Sequence, residues 1–192
     1  MSDDWARWRQ EIDLVDYDAR WQQMAASGEN PHGEVDLVCR FRPASVLDAG
    51  CGTGRVAIEL VRRGIASVGV DSDPDMIAAA RAKAPEIPWD VVNLAQLDLG
   101  RVFDVVVMAG NVIVFAQEAD RAAVIERCVA HLAPTGVLIA GFQLRPSGPT
   151  LDQYDRWCEA AGATLVERWA TWNGQAFDGG DYAVSVHARP GA

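Results

Sequence analysis

The stretch V-L-D-A-G-C-G-T-G-R-V-A-I-E-L at residues 46–60 constrains the fold of this chain more than any other. A short apolar run ends in an acid, passes through three alternating glycines and resumes as an apolar pattern at helical spacing. That order predicts a buried strand, a tight backbone turn and a helix, the place where open α/β sheets hold nucleotide-like ligands. Gly50, Gly52 and Gly54 make G-x-G-x-G, whereas dinucleotide sites carry G-x-G-x-x-G with the last glycine one position later. Asp48 stands at the strand end, where a carboxylate repels a pyrophosphate and suits a ligand with a positively charged end, such as an ammonium or a sulfonium. Side-chain-free backbone lets such a ligand lie against the turn.

The second signal is S-V-G-V-D-S-D-P-D-M-I-A-A-A-R at residues 67–81. A Val-rich strand ends at Asp71, about 20 residues beyond the first glycines, where an acid accepts from a ribose hydroxyl pair. Asp73 reads as an N-cap and Pro74 as the first helical position, so Ser72 falls in the turn and Met76 one helical turn further on.

Together these residues resemble the class I S-adenosylmethionine-dependent methyltransferases, small-molecule type, similar to the type 11 and type 25 groups. The resemblance is strongest over residues 46–81 and extends from Tyr17 to the C-terminus. It implies an α/β fold: a Rossmann-like single domain, a seven-stranded mostly parallel sheet with an antiparallel C-terminal hairpin and helices on both faces. It implies S-adenosyl-L-methionine as cofactor and in-line methyl transfer to a small-molecule acceptor. It also implies cofactor contacts at Asp48, Ala49, Gly50, Gly52, Asp71 and Ser72, with Met76 on the adenine face.

In this family an acid followed by an apolar residue comes after the third strand and accepts from the adenine amino group. Here the matching pair is Asn93 and Leu94, with Asp90 and Asp98 as acids in neighbouring registers. An amide can still accept through its oxygen, and Asn93 as a plain turn residue stays open. In residues 101–115, Val105, Val106 and Val107 form a strand ending at Ala109, Gly110 and Asn111. The resemblance sets the methionine portion of the cofactor beside that strand end; Gly-Asn is also ordinary turn chemistry.

The remaining chain continues the alternation. Val124, Ile125, Cys128, Val129 and Leu132 recur at helical spacing, Pro134 and Gly136 break that helix, and residues 137–142 form a strand. Residues 151–161 read as a helix ended by Gly162, and residues 163–171 and 182–188 as an edge hairpin. Residues 1–42 form a helical cover and residues 43–192 the cofactor domain. In the cover Trp5, Trp8 and Ile12 share a helical face and residues 17–26 form a second helix. The tryptophans read as packing residues. Tyr17, Arg20 and the His32-Gly33-Glu34 segment are the polar groups placed to reach the carboxylate end of the cofactor or a substrate, with His32 and Glu34 the first candidates for an optional general base; the catalytic residue itself is unassigned.

With 192 residues and 49% hydrophobic content the chain can bury one core. It carries no apolar run long enough to span a bilayer, so a soluble, cytoplasmic protein is expected. The four cysteines form no C-x-x-C pair and the three histidines share no ligand spacing, so no metal is expected. His131 and His187 read as structural or solvated, the latter on an edge strand. A formal charge of −10 disfavours nucleic acid as partner. Oligomeric state and acceptor are not encoded in any pattern. Two alternatives stand beside the main reading: a non-catalytic S-adenosylmethionine-binding module, and an NAD-dependent Rossmann enzyme, which the glycine spacing and Asp48 oppose.

Overall fold

In a computed structural model, which describes residues 2–191, the strands are β1 (Ser45–Ala49), β2 (Ala66–Asp71), β3 (Trp89–Val91), β4 (Phe103–Met108), β5 (Leu132–Gln143), β6 (Thr164–Trp169) and β7 (Tyr182–Ala188). They form one seven-stranded sheet in the order β3-β2-β1-β4-β5-β7-β6. The first five are parallel, and β7 inserts antiparallel between β5 and β6. This is the Rossmann-like arrangement that the family resemblance implies.

The continuous apolar runs of β1 and β4 follow from burial on both faces. Val46, Val105 and Val107 point into one core, with Leu37, Val56 and Leu60. Leu47, Val106 and Met108 point into the other, with Ile125, Cys128 and Tyr154. Period-two alternation thus supplies both helical layers. The helices are α1 (Asp3–Glu11), α2 (Leu14–Ala26), α3 (Gly33–Cys39), α4 (Arg55–Arg62), α5 (Pro74–Lys83), α6 (Val112–Phe115), α7 (Arg121–Ala130) and α8 (Leu151–Ala160). Thr150 and Gln153 close a capping box at the start of α8. No helix of the described residues is long and apolar enough to cross a membrane.

From β1 the chain runs outward to β2 and β3 on one side and reaches β4 and β5 on the other. Strand order therefore reverses between β1 and β4, and a crevice opens beyond their C-terminal ends.

Three expectations need correction. Ile12 leaves the Trp5–Trp8 helix, because its backbone is extended at φ −101° and ψ 119°. β5 begins at Leu132, which pairs with Phe103 before the register shifts. Gly136 permits this: a Cβ there would lie 3.0 Å from both Phe103 O and Ala133 N. Finally, His187 is not on an edge strand, since β6 covers β7. Its side chain is fully buried with Nε2 3.0 Å from Asp155 Oδ1, and burial pushes its pKa down. His131, at the end of α7, is structural: Nε2 accepts from Leu99 N at 2.9 Å and Nδ1 lies 2.7 Å from Arg127 O.

Candidate cofactor-binding site

The three glycines after β1 do different work. All have positive φ, 82°, 54° and 87° for Gly50, Gly52 and Gly54. A Cβ on Gly50 would come within 2.5 Å of the Val112 side chain, and one on Gly54 within 2.6 Å of the Trp89 ring. Those two residues let the turn nest against its neighbours. A Cβ on Gly52 would instead meet nothing nearer than Met76 Sδ at 3.9 Å, and one on Gly110 nothing within 4 Å. Gly52 and Gly110 therefore hold open a space that a ligand can fill.

Hydrogen bonds fix this turn to the end of β2. Gly50 N and Cys51 N both donate to Val70 O, at 2.8 and 3.0 Å. Asp71 accepts from Gly52 N at 2.9 Å through one carboxylate oxygen and from Asp73 N at 2.9 Å through the other. Its carboxylate is held in one orientation, with the backbone N–H of Ser72 bonded to it as well. Asp73 caps α5 by accepting from Asp75 N and Met76 N, as the Asp-Pro pattern predicts. Asp48 is 1% exposed and accepts from Ala57 N at 3.1 Å. Burial pushes its carboxyl up to about 7, against the N–H of Ala57, which pulls it down. Asp71 is raised in the same direction, also by burial.

These groups face a cavity of about 270 Å³. Its floor is the sheet's C-terminal edge. Its cover comes from the N-terminal helices and the segment after β4. Trp8 packs edge-on to Tyr17 at 5.7 Å, and Phe115 lies 5.4 Å from Trp5 and 5.7 Å from Trp8. The Arg20 guanidinium lies over Tyr17 and Trp21 at 4.7 and 4.5 Å, and that of Arg55 over Trp21 at 3.9 Å. Arg55 also forms a fork with Glu34, at 3.0 and 2.5 Å. Two polar ties hold the cover down. Arg9 bonds Asp73 at 2.9 Å and Asp75 at 3.2 Å. Asp18 accepts from Thr53 Oγ1 at 2.6 Å and from Lys83 at 2.8 Å.

Of the residues expected to hold a cofactor, Tyr17, Asp48, Gly50, Gly52, Asp71, Ser72 and Met76 line this one cavity, as do Asn93, Leu94, Ala109, Gly110 and Asn111. Ala49 does not. It is the last residue of β1 and packs fully buried in the core with Leu47 and Val70. Two of the amides are partly engaged already. Asn93 Oδ1 accepts from Ala95 N at 3.1 Å and starts a 3-10 turn, Leu94–Gln96. Asn111 sits at φ 68° with its Oδ1 accepting from Gln143 N at 2.7 Å.

Sequence reasoning missed several lining residues. Trp5 and Trp8, read as packing residues, line the cavity, and so do Trp21, Thr53, Arg55, Phe115, Gln117 and Asp120. Arg55 had one local signal, its place directly after the third glycine. The others are gathered by tertiary folding. Of the two base candidates, His32 is outside the cavity lining, its Nε2 3.9 Å from Glu59, and Glu34 lines the cavity but is tied to Arg55. Among the described residues no group of His, Cys, Asp or Glu is arranged to hold a metal.

Fold and cavity define an α/β nucleotide-cofactor protein with the site at its strand-order reversal. Comparison with known proteins narrows the class. A family profile described as "Methyltransferase domain" matches residues 46–136. The crystal structure of a TehB-like SAM-dependent methyltransferase from Corynebacterium glutamicum is 31% identical, with a TM-score of 0.83, covering 91% of this chain and 97% of that one. A dTDP-3-amino-3,6-dideoxy-alpha-D-glucopyranose N,N-dimethyltransferase from Streptomyces fradiae is 32% identical over 69% of this chain and 53% of its own length. A trans-aconitate 2-methyltransferase from Methylobacterium nodulans is 28% identical over 82% of this chain and 72% of its own length. The chain thus spans only about half the length of the Streptomyces relative. It belongs to the S-adenosylmethionine-dependent methyltransferases, with the class I Rossmann-like fold.

Proposed function

We propose that this protein transfers the methyl group of S-adenosylmethionine to a small molecule. The observation that carries the reading is the Gly52 cradle locked to Asp71: an open backbone turn beside a carboxylate held in one orientation at the end of β2, where an acid suits a ribose hydroxyl. The other fit is electrostatic. Asp48 suits the cationic amino end of the cofactor, and Arg20, on the cover, suits its carboxylate. Met76 and Leu94 offer apolar surface to the adenine. When bound, the cofactor supplies an electrophilic methyl group on a positive sulfur.

The chain's own residues then bind, orient and exclude water. The aromatic cover of Trp5, Trp8, Tyr17, Trp21 and Phe115 gives the cavity a dry wall on the side facing the sheet edge. Positioning of this kind is worth several kcal/mol in favourable cases, of the order of 7 to 11 in intramolecular systems. The two relatives act, by their names, on an amino sugar and on trans-aconitate, which supports a small-molecule acceptor and leaves its chemistry to this chain. The net charge of −10 supports a small molecule over nucleic acid. Four free cysteines support a cytoplasmic location.

Calorimetric titration with S-adenosylhomocysteine and with NAD tests this. Wild-type protein is expected to bind S-adenosylhomocysteine and not NAD. Asp71→Asn is expected to weaken the binding by about ten- to a hundred-fold through the lost charge-assisted bonds. NAD binding without S-adenosylhomocysteine binding sinks the reading. Tight binding with no methyl transfer to any class of small acceptor favours a non-catalytic module instead.

A further inference from the structure

Resting on the methyltransferase reading, we propose that the acceptor is an amine, carried on an apolar or flat body, recognised as a cation by the aromatic cover and Asp120 and methylated as the free base. The argument begins with the titratable groups that face the cavity. Asp48 and Asp71 are taken up by the glycine turn and the strand ends. Glu34 is bound on both oxygens by Arg55. Burial raises the Tyr17 hydroxyl and the Cys51 thiol, so both keep their protons at neutral pH. No histidine is among the lining residues.

What is left is Asp120. It lines the cavity and precedes α7, yet its side chain caps no helix N–H. A carboxylate in this place pairs charge to charge with an ammonium, whereas a neutral alcohol gains only a hydrogen bond from it. An amine bound as its ammonium first gives one N–H proton to solvent water, which needs no strong base. Its nitrogen lone pair forms the new N–C bond as the S–C bond breaks and its electron pair returns to sulfur. The positive charge passes to nitrogen, and the product ammonium gives its N–H proton to water.

The same wall selects between an amine and an acid. Aromatic faces attract cations and disfavour anions. In this cover they already do so, with Arg20 over Tyr17 and Trp21 and Arg55 over Trp21. Trp5 and Trp8 bring the same chemistry to the cavity beside Phe115. A carboxylate acceptor would face three aspartates, Asp48, Asp71 and Asp120, in a space of about 270 Å³. Of the two lining arginines, Arg55 is already neutralised by Glu34, and Arg20 is assigned to the carboxylate of the cofactor.

Tryptophan fluorescence titration of the full chain, saturated with S-adenosylhomocysteine, tests this with benzylamine, benzyl alcohol and benzoate as probes at neutral pH. Benzylamine is expected to bind at least about ten-fold more tightly than either of the others. Asp120→Asn is expected to reduce that preference to about three-fold or less, and Asp120→Glu to retain it. Equal or tighter binding of benzyl alcohol or benzoate overturns the proposal. So does an absence of benzylamine binding, or a preference that Asp120→Asn leaves unchanged. Failure of S-adenosylhomocysteine to bind in a separate titration would count against the cofactor reading itself, which keeps the two outcomes distinct.

Discussion

On the sheet side of the cavity, Gly52 and Asp71 meet across 19 residues of sequence, backbone N–H to carboxylate. On the cover side, Arg9 reaches Asp73 across 64 residues, side chain to side chain. The first wall is set by backbone conformation at strand ends and leaves little to adjust. The second is assembled from long side chains, whose ordering has an entropy cost and whose contacts salt and substitution can loosen. On the proposed reading, the floor holds the ribose and the amino end of the cofactor, and the cover, apart from Arg20, meets the acceptor.

The most severe way to break the comparison is Gly52→Val. Its side chain would project into the cavity from a backbone at φ 54°, which itself costs about 1–2 kcal/mol for a residue with a Cβ. Affinity for S-adenosylhomocysteine should fall by more than about a hundred-fold by calorimetry, with the far-ultraviolet circular dichroism unchanged. Retained affinity would mean the floor is not the cofactor wall.

Next is Arg55→Met, which leaves the largely buried Glu34 without its guanidinium. Urea denaturation should show a loss of about 2 kcal/mol, and adding Glu34→Gln should recover part of it. A loss of stability that the second change does not relieve would place the role of Arg55 in its stacking on Trp21.

The third test uses pH. Burial raises Asp48 to about 7, so the cationic end of the cofactor is favoured only as that carboxyl ionises. S-adenosylhomocysteine should bind roughly ten-fold more weakly at pH 6 than at pH 8, and Asp48→Asn should flatten the dependence. For the ligand-free fold the sign is opposite. The unfolded carboxyl ionises near its ordinary value, so Asp48 lowers stability as pH climbs from about 4 to 7.

The smallest effect is expected from Arg9→Gln. Asp75 is exposed and Arg9 partly so, while the largely buried Asp73 keeps its two cap N–H donors when Arg9 is lost, so the cost is expected to be about 1 kcal/mol. Its signature is a weakening of cover docking that added salt reproduces in wild-type protein, read from tryptophan fluorescence.

The same contrast explains what the sequence made legible. Asp48, the three glycines, Asp71 and the Asp73-Pro74 helix start could be read because each owes its role to backbone geometry within a few residues of itself. Ala49 stands within that motif, and strand alternation turns its side chain into the core. Trp5 and Trp8 showed a helical face, and nothing in their spacing told whether that face would meet a core or a cavity. Arg55 and Glu34 carry no mutual signal, since their fork exists only once α3 has packed against α4. His187 was misplaced for a related reason. Strand order past β5 depends on which neighbour each hairpin strand pairs with, and hydrophobic alternation leaves that choice open.

Gly50 carries a consequence for how such a chain can vary. With the Val112 side chain 2.5 Å from where a Cβ would stand, the turn after β1 and the turn after β4 are keyed into each other. A larger residue at position 50 is tolerated only where position 112 has already become smaller, and even then the positive φ is left to be borne. The two positions are therefore expected to change as a pair in descendants of this sequence, with the reduction at 112 coming first.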